Sequence, residues 1–284
     1  MCFALMLALL TSTSTFPLSA QTVGSKHFRT QRLGEGIYVV LPLAGTRTVC
    51  NAGIIDTGTE TLLIDPFVSE EAAADLHTAA QRLTTSPIRY VITTHGHHQH
   101  GSGNGISLPG ARLIGTPAAL ASMAARSASP LPTMALDGRL TLRGPLRTVE
   151  LIATGRGHGT SDLVVFLPAE RFLFTGDIVV IGMHPSVTDG EFTQWLASLR
   201  RLEALGPDVV IPGRGPVGEG DDLRVMACYL QDIDAMTRAA AAAGKSLHDL
   251  ATIGVPTTYA EWEHSSLFLE NLRSWLTRLQ SRPR

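Results

Sequence analysis

Four histidines fall within six positions in the segment Thr94-His95-Gly96-His97-His98-Gln99-His100-Gly101. The whole chain of 284 residues holds only 10 histidines, so this density is far above chance. Imidazole nitrogens bind zinc at about 2.0–2.1 Å, and catalytic zinc sites leave one position open for water. In a tight loop, side chains at i and i+2 can turn toward one ion, which a helix would not permit. The segment therefore has the residue types and spacing for metal chemistry. It must be presented by something rigid: the β-rich run Arg89–Thr93 leads into it, and Gly101 and Gly103 let the backbone leave it.

The surrounding pattern supplies further rigid elements. Three short β-rich runs, Ile37–Leu41, Val49–Ile55 and Thr61–Ile64, are separated by Gly45-Thr46 and Asp56-Thr57-Gly58. They predict an antiparallel meander. Ser69, with Glu70 and Glu71 behind it, starts a helix that runs to about Leu83. In the second half, strands are expected at Arg139–Leu142, Arg147–Ile152, Leu163–Leu167, Arg171–Thr175 and Val209–Pro212. Leu163 to Met183 is apolar, but Glu170, Arg171 and Asp177 interrupt it, so it reads as two strands turning at Pro168-Ala169. Helices follow from spacings of three and four: Phe192 to Leu202, Leu223 to Met236 (stopped by Gly244) and Phe268 to Leu279. Thr258-x-x-Glu261 is a candidate capping box for the last one. Sheet plus helix in each half, with no linker tract, predicts one α/β domain of two sheets packed face to face with helices outside.

Composition narrows the partners. The chain is 44% hydrophobic and 17% charged with a net charge of -2, so no global basic field marks a nucleic-acid partner. A small-molecule substrate is expected. Residues 1–20 contain the apolar run Phe3 to Leu10 and end in Leu18-Ser19-Ala20, the outline of a secretory signal peptide, although nothing before Lys26 is basic. The run is too short for a membrane span. The expectation is an exported, periplasmic or secreted domain over residues 21–284. It retains Cys50 and Cys228, each in an apolar stretch and expected as buried free thiols.

These motifs resemble the metallo-β-lactamase superfamily, whose pattern is His-x-His-x-Asp-His after a strand, followed by a histidine, a bridging aspartate and a last histidine at strand ends. His95, His97 and His100 fall on three histidines of the first motif. His158, in Gly155-Arg156-Gly157-His158-Gly159-Thr160-Ser161, falls on the next, and Asp177, in Leu173-Phe174-Thr175-Gly176-Asp177, on the bridging aspartate. Asp65, after Leu62–Ile64, resembles the aspartate that steadies the histidine loop. The resemblance covers roughly Ile37 to Val217. It implies a four-layer αββα sandwich with two mixed β-sheets, a zinc cofactor and hydrolysis of an amide, lactone or ester, β-lactams included.

Two positions depart from the pattern. The aspartate of the first motif is Gln99, and the last histidine, expected in Val210-Ile211-Pro212-Gly213-x-Gly215, is Arg214. Both belong to the family's second metal site, while the first (His95, His97, His158) is complete. A neutral amide is a poor zinc ligand and a guanidinium is none. With two zincs, two carboxylates and a hydroxide the charge sums to about +1. One zinc with Arg214, Asp177 and a hydroxide again gives about +1. The resemblance thus implies one zinc, Asp177 as the group orienting water or taking its proton, and Arg214 pairing with Asp177 or with the substrate oxyanion.

Two other readings stay open. His95, His158 and Asp177 also make the two-histidine, one-carboxylate set of non-haem iron oxygenases, which some superfamily members use for persulfide oxidation. A scaffold that kept metal and lost turnover is the third. His98 is expected to point away, and His27, His77, His248 and His264 to lie at the surface. His184 follows Asp177 closely enough to line a pocket. The Gly- and Pro-rich tract from Gly105 to Pro132, with Arg126, is read as a pocket wall or lid.

Overall fold

A computed structural model describes residues 23–46, 48–101, 108, 110–126 and 131–281. The expected signal peptide (1–20) and parts of the 105–132 tract lie outside the described residues.

The first sheet has seven strands in chain order: β1 (Phe28–Gly34), β2 (Ile37–Pro42), β3 (Ala52–Asp56), β4 (Thr61–Ile64), β5 (Ile88–Ile92), β6 (Arg112–Gly115) and β7 (Thr133–Ala135). Its β1–β4 half is an antiparallel meander, as the turn residues predict, and β4 to β7 are parallel. The second sheet is formed by β8 (Arg139–Arg143), β9 (Thr148–Gly155), β10 (Asp162–Leu167), β11 (Phe172–Val180), β12 (Val209–Arg214) and β13 (Gly218–Glu219), ordered β13-β12-β11-β10-β9-β8. All pairs are antiparallel except β11 with β12, so both sheets are mixed. The helices are α1 (Glu70–Leu83), α2 (His98–Gly101), α3 (Pro117–Ala124), α4 (Phe192–Glu203), α5 (Asp222–Ala242) and α6 (Ser266–Ser281).

The two-residue period of a strand explains the layering. Ile37, Val39 and Leu41 of β2 meet Leu163, Val165 and Leu167 of β10 between the sheets. The alternate residues Tyr38 and Val40 face Ala72, Leu76 and Ala80 of α1. On the far side Val164 and Phe166 pack against Trp195 and Leu199 of α4 and Leu230 of α5. Strands covered on both faces are mostly apolar, and every residue of β10 and β11 is buried, the site residues Asp162 and Asp177 included. The result is the four-layer αββα sandwich.

Local chemistry sets most boundaries. The Ser69 hydroxyl accepts from Ala72 N at 3.1 Å and caps α1. Gly244 (φ 67°) follows the end of α5. The proposed capping box at Thr258 does not start α6. Thr257–Tyr259 is a short 3-10 turn, Tyr259 meets Tyr229 edge-on while Trp262 stacks on it, and His264 takes φ 60° before the helix begins at Ser266. Aromatic packing thus overrides the local capping signal. The 105–132 tract is not all loop: its described part includes β6 and α3, the latter capped by Thr116. Carboxyl ends of parallel strands gather at one edge, where open α/β sheets bind ligands. Here β4 and β5 of one sheet, and β11 and β12 of the other, release Asp65, the histidine loop, Asp177 and Arg214.

Candidate metal centre

Asp65 leaves β4 with φ 46°, a left-handed value that aspartate tolerates better than most side chains. Its Oδ1 accepts from Thr94 N (2.9 Å) and its Oδ2 from Thr94 Oγ1 (2.7 Å). The His100 Nδ1 lies 2.9 Å from the same Oδ2. One buried carboxylate therefore ties together both ends of the histidine loop. Because the Thr94 hydroxyl gives its proton to Asp65, its oxygen is left to accept from His95 Nδ1 at 3.0 Å. That network fixes the tautomer and leaves the His95 Nε2 lone pair as ligand. Buried Nε2 has no hydrogen-bond partner among the described residues.

His97 Nε2 is 2.8 Å from Asp189 Oδ2, and its Nδ1 is 3.1 Å from His158 Nε2. With Nε2–H donated to Asp189, the Nδ1 lone pair faces His158. The ligand atoms of His95, His97 and His158 all lie within 4.8 Å of one another. Nitrogens at tetrahedral zinc sit about 3.3 Å apart, so the donor set and the orphaned nitrogen fit that ion. His158 is steadied from behind: its ring meets Trp195 edge-on at 5.3 Å, and Asp162 accepts from Gly159 N at 3.0 and 3.2 Å. Burial pushes the Asp162 carboxyl up to about 7. Burial likewise favours the neutral form of two of these histidines, lowering His158 to about 4 and His95 well below its ordinary value. Neutral imidazoles are the form that binds metal.

A second group adjoins the first. His100 Nε2 is 3.3 Å from Asp177 Oδ1, and Asp177 Oδ2 is 3.0 Å from Arg214 Nε. Ligand atoms of His95, His100 and Asp177 also lie within 4.8 Å of one another. Burial opposes ionisation of both partners, yet Asp177 is held well below the usual carboxylate range by His100 and Arg214. His100 is lifted well above its ordinary value, against burial, by Cys50, Asp177 and Asp65. Gly213 allows this geometry: a Cβ there would stand 2.1 Å from Asp177 Oδ1 and 2.6 Å from the Gly176 carbonyl carbon. Backbone cannot yield cheaply, so Gly213→Ala is expected to cost about 2–4 kcal/mol of stability and displace Asp177. Chemical denaturation reads the cost. A loss below about 0.5 kcal/mol would contradict the tight approach of β12 to β11.

Both groups border a cavity of about 250 Å³ lined by Gln99, His97, His158, Asp177, Arg214, His184, Asp189, His264 and Leu267. His184 is 2% exposed, and its Nδ1 is 3.0 Å from the Tyr229 hydroxyl. It lines the wall without joining either ligand group. His98 is exposed and belongs to neither. His248 is exposed, whereas His27 and His77 are half-buried rather than surface residues. His264 is exposed but borders the cavity, a placement the sequence did not reveal because α6 and its lead-in bring it there. Asp189 was also missed. Cys50 and Cys228 are not joined in a disulfide; Cys50 is buried and Cys228 half-buried. The Cys50 S–H donates to the Gln99 carbonyl at 3.2 Å, beside the centre.

Residues 45–214 match the family model described as the metallo-beta-lactamase superfamily. A 2,4-dinitroanisole O-demethylase subunit alpha from Nocardioides sp. (strain JS1661) is 30% identical over 191 residues, 65% of this chain and 55% of that protein. An atrochrysone carboxyl ACP thioesterase from Aspergillus fumigatus is 30% identical over 201 residues, 70% of this chain and 58% of that protein. The chain thus spans little more than half the length of these two curated relatives. Among solved structures, a metallo-beta-lactamase from Pontibacter korlensis shares the fold with a TM-score of 0.63 and 22% identity, covering 72% of this chain and 99% of that one.

Proposed function

The chain belongs to the metallo-β-lactamase superfamily, and we propose that it is an exported, zinc-dependent hydrolase that works with one ion and cleaves an amide, lactone or ester. Metal-dependent, hydrolase-type chemistry goes with the family. The observation that carries the one-ion reading is Arg214 Nε, 3.0 Å from Asp177 Oδ2. The guanidinium and His100 supply two cations, against the carboxylates of Asp65 and Asp177. The second site is therefore charge-balanced without a second ion.

Zinc held by His95, His97 and His158 would supply Lewis acidity and a nucleophilic water at neutral pH. The remaining work falls to the chain. Asp177 Oδ2 is taken by Arg214, whereas Oδ1, 3.3 Å from His100 Nε2, keeps a further lone pair to orient the water. Only Nε of Arg214 donates to a described residue, which leaves its terminal nitrogens for the oxygen that gains charge as an acyl carbon becomes tetrahedral. Asp65 holds Thr94 and His100 and so keeps the loop in register. The buried His95 and His158 limit competing solvent. Three imidazoles around one point favour zinc over the two-histidine, one-carboxylate iron set.

Support for export is the apolar run Phe3 to Leu10 with Leu18-Ser19-Ala20 after it. Among the described residues no helix is long and apolar enough to cross a membrane. A small-molecule substrate fits a cavity of this size. The test is a panel of β-lactam, lactone and thioester substrates, each run with a His95→Ala control. Hydrolysis of at least one substrate about 100-fold or more above that control is expected. No difference from the control across the panel would leave a metal-binding scaffold and overturn the proposal.

A further inference from the structure

The three imidazoles are not held alike. His95 and His158 are buried, but the His97 side chain is 31% exposed, and among the described residues its one hydrogen-bonded anchor outside the histidines is Asp189, itself 52% exposed. A carboxylate that exposed would ordinarily swing in solvent and contribute little. Here its backbone is clamped from both sides. Arg278 of α6 donates to the carbonyl oxygens of Thr188 and Gly190, the two residues flanking Asp189. About two turns earlier on α6, Asn271 donates to the Pro185 carbonyl (2.8 Å) and accepts from Val187 N (3.2 Å). Asn271 also donates to the Tyr229 hydroxyl at 3.0 Å, which ties that grip to α5. The loop between β11 and α4 is therefore fastened to a helix that lies wholly outside residues 45–214, the part matched by the family model.

We propose that α6 is a positioning element for the metal centre: Arg278 locks residues 188–190 so that Asp189 holds His97 with Nε2 protonated and Nδ1 presented to the ion. This rests on the reading that His95, His97 and His158 bind metal. A ligand turned by its outer hydrogen bond is a general means of tuning affinity. What the geometry adds is the source of that hold, a side chain near the end of the chain that touches neither ligand nor cavity. Asp189 and Arg278 are thus positioning residues that act through His97.

The test is zinc affinity, measured by competition with a chromophoric chelator, in the wild type, Asp189→Asn, Arg278→Ala and the double variant. Asp189→Asn is expected to weaken binding about 10-fold, within the usual range for an outer hydrogen-bond partner. Arg278→Ala should weaken it about 3- to 10-fold, and the double variant by no more than about twofold beyond Asp189→Asn, because the two act in series. Arg224→Ala removes an exposed arginine paired with Glu203 on another face and should leave affinity within about twofold of wild type. Nitrogen-15 NMR of the zinc-loaded wild type gives a readout that needs no variant: His97 should carry its proton on Nε2. A proton on Nδ1, an Asp189→Asn affinity within twofold of wild type, or fully additive losses would overturn the proposal. A wild type that binds no zinc would contradict the metal-site reading instead, so the two failures are distinguishable. If Arg278→Ala does not fold, Arg278→Lys, which keeps one donor, and the wild-type NMR signal still decide.

Discussion

His95→Ala is expected to abolish zinc-dependent stabilisation and to lower hydrolysis by on the order of 10³-fold or more. His95 is the pivot of the centre because its ring is common to both ligand groups and is buried. Its Nδ1 is committed to Thr94, and its Nε2 has no hydrogen-bond partner among the described residues. The metal-free protein should feel the change little. Deleting the ring removes a buried nitrogen that has no partner, which offsets part of the cost of the space left behind. The effect should therefore appear as a loss of linkage. In the wild type, zinc at about 1,000 times its Kd adds about 4 kcal/mol, seen as a raised Tm, and in the variant it should add almost nothing. A His95→Ala protein whose Tm still rises with zinc would show that the ion sits elsewhere.

The second large effect is a gain. Gln99→Asp with Arg214→His should raise zinc content from about one to about two per chain. The wild-type arrangement keeps His100 Nε2 and Asp177 Oδ1 buried and 3.3 Å apart. Two ligand atoms are thus in position once His100 gives up its proton. A carboxylate at 99, on the cavity lining, and an imidazole at 214 would add two more. Removing the guanidinium also removes the cation that balances Asp177, leaving excess negative charge for a second ion to neutralise. Arg214→His alone should give a weaker gain, since the amide of Gln99 remains a poor donor. If the double variant holds no more metal than the wild type, positions 99 and 214 do not belong to a second site.

Much of this was legible because the informative residues sit at strand ends and the strands announce themselves. The histidine loop follows β5 directly, and Asp177 and Arg214 lie on two strands, β11 and β12, whose apolar runs are plain in the sequence. Ser69 marks α1 to the residue. The missing parts share a physical cause. Asp189 lies 92 positions from His97, in a loop without periodicity, and tertiary contacts, those of α6 among them, make it a neighbour. His264 borders the cavity because its backbone turns left-handed ahead of α6, and a single histidine carries no sign of that. Edge strand β1 was hidden because only Phe28 and Thr30 of its seven residues are buried. Cys50 read as an inert core thiol, since nothing local shows that its strand runs under Gln99.

The most direct test of the one-ion account is elemental analysis of the purified protein after exhaustive dialysis against metal-free buffer. The account predicts about one zinc per chain and almost none in His95→Ala. Two tightly held zincs, or iron in place of zinc, would contradict it.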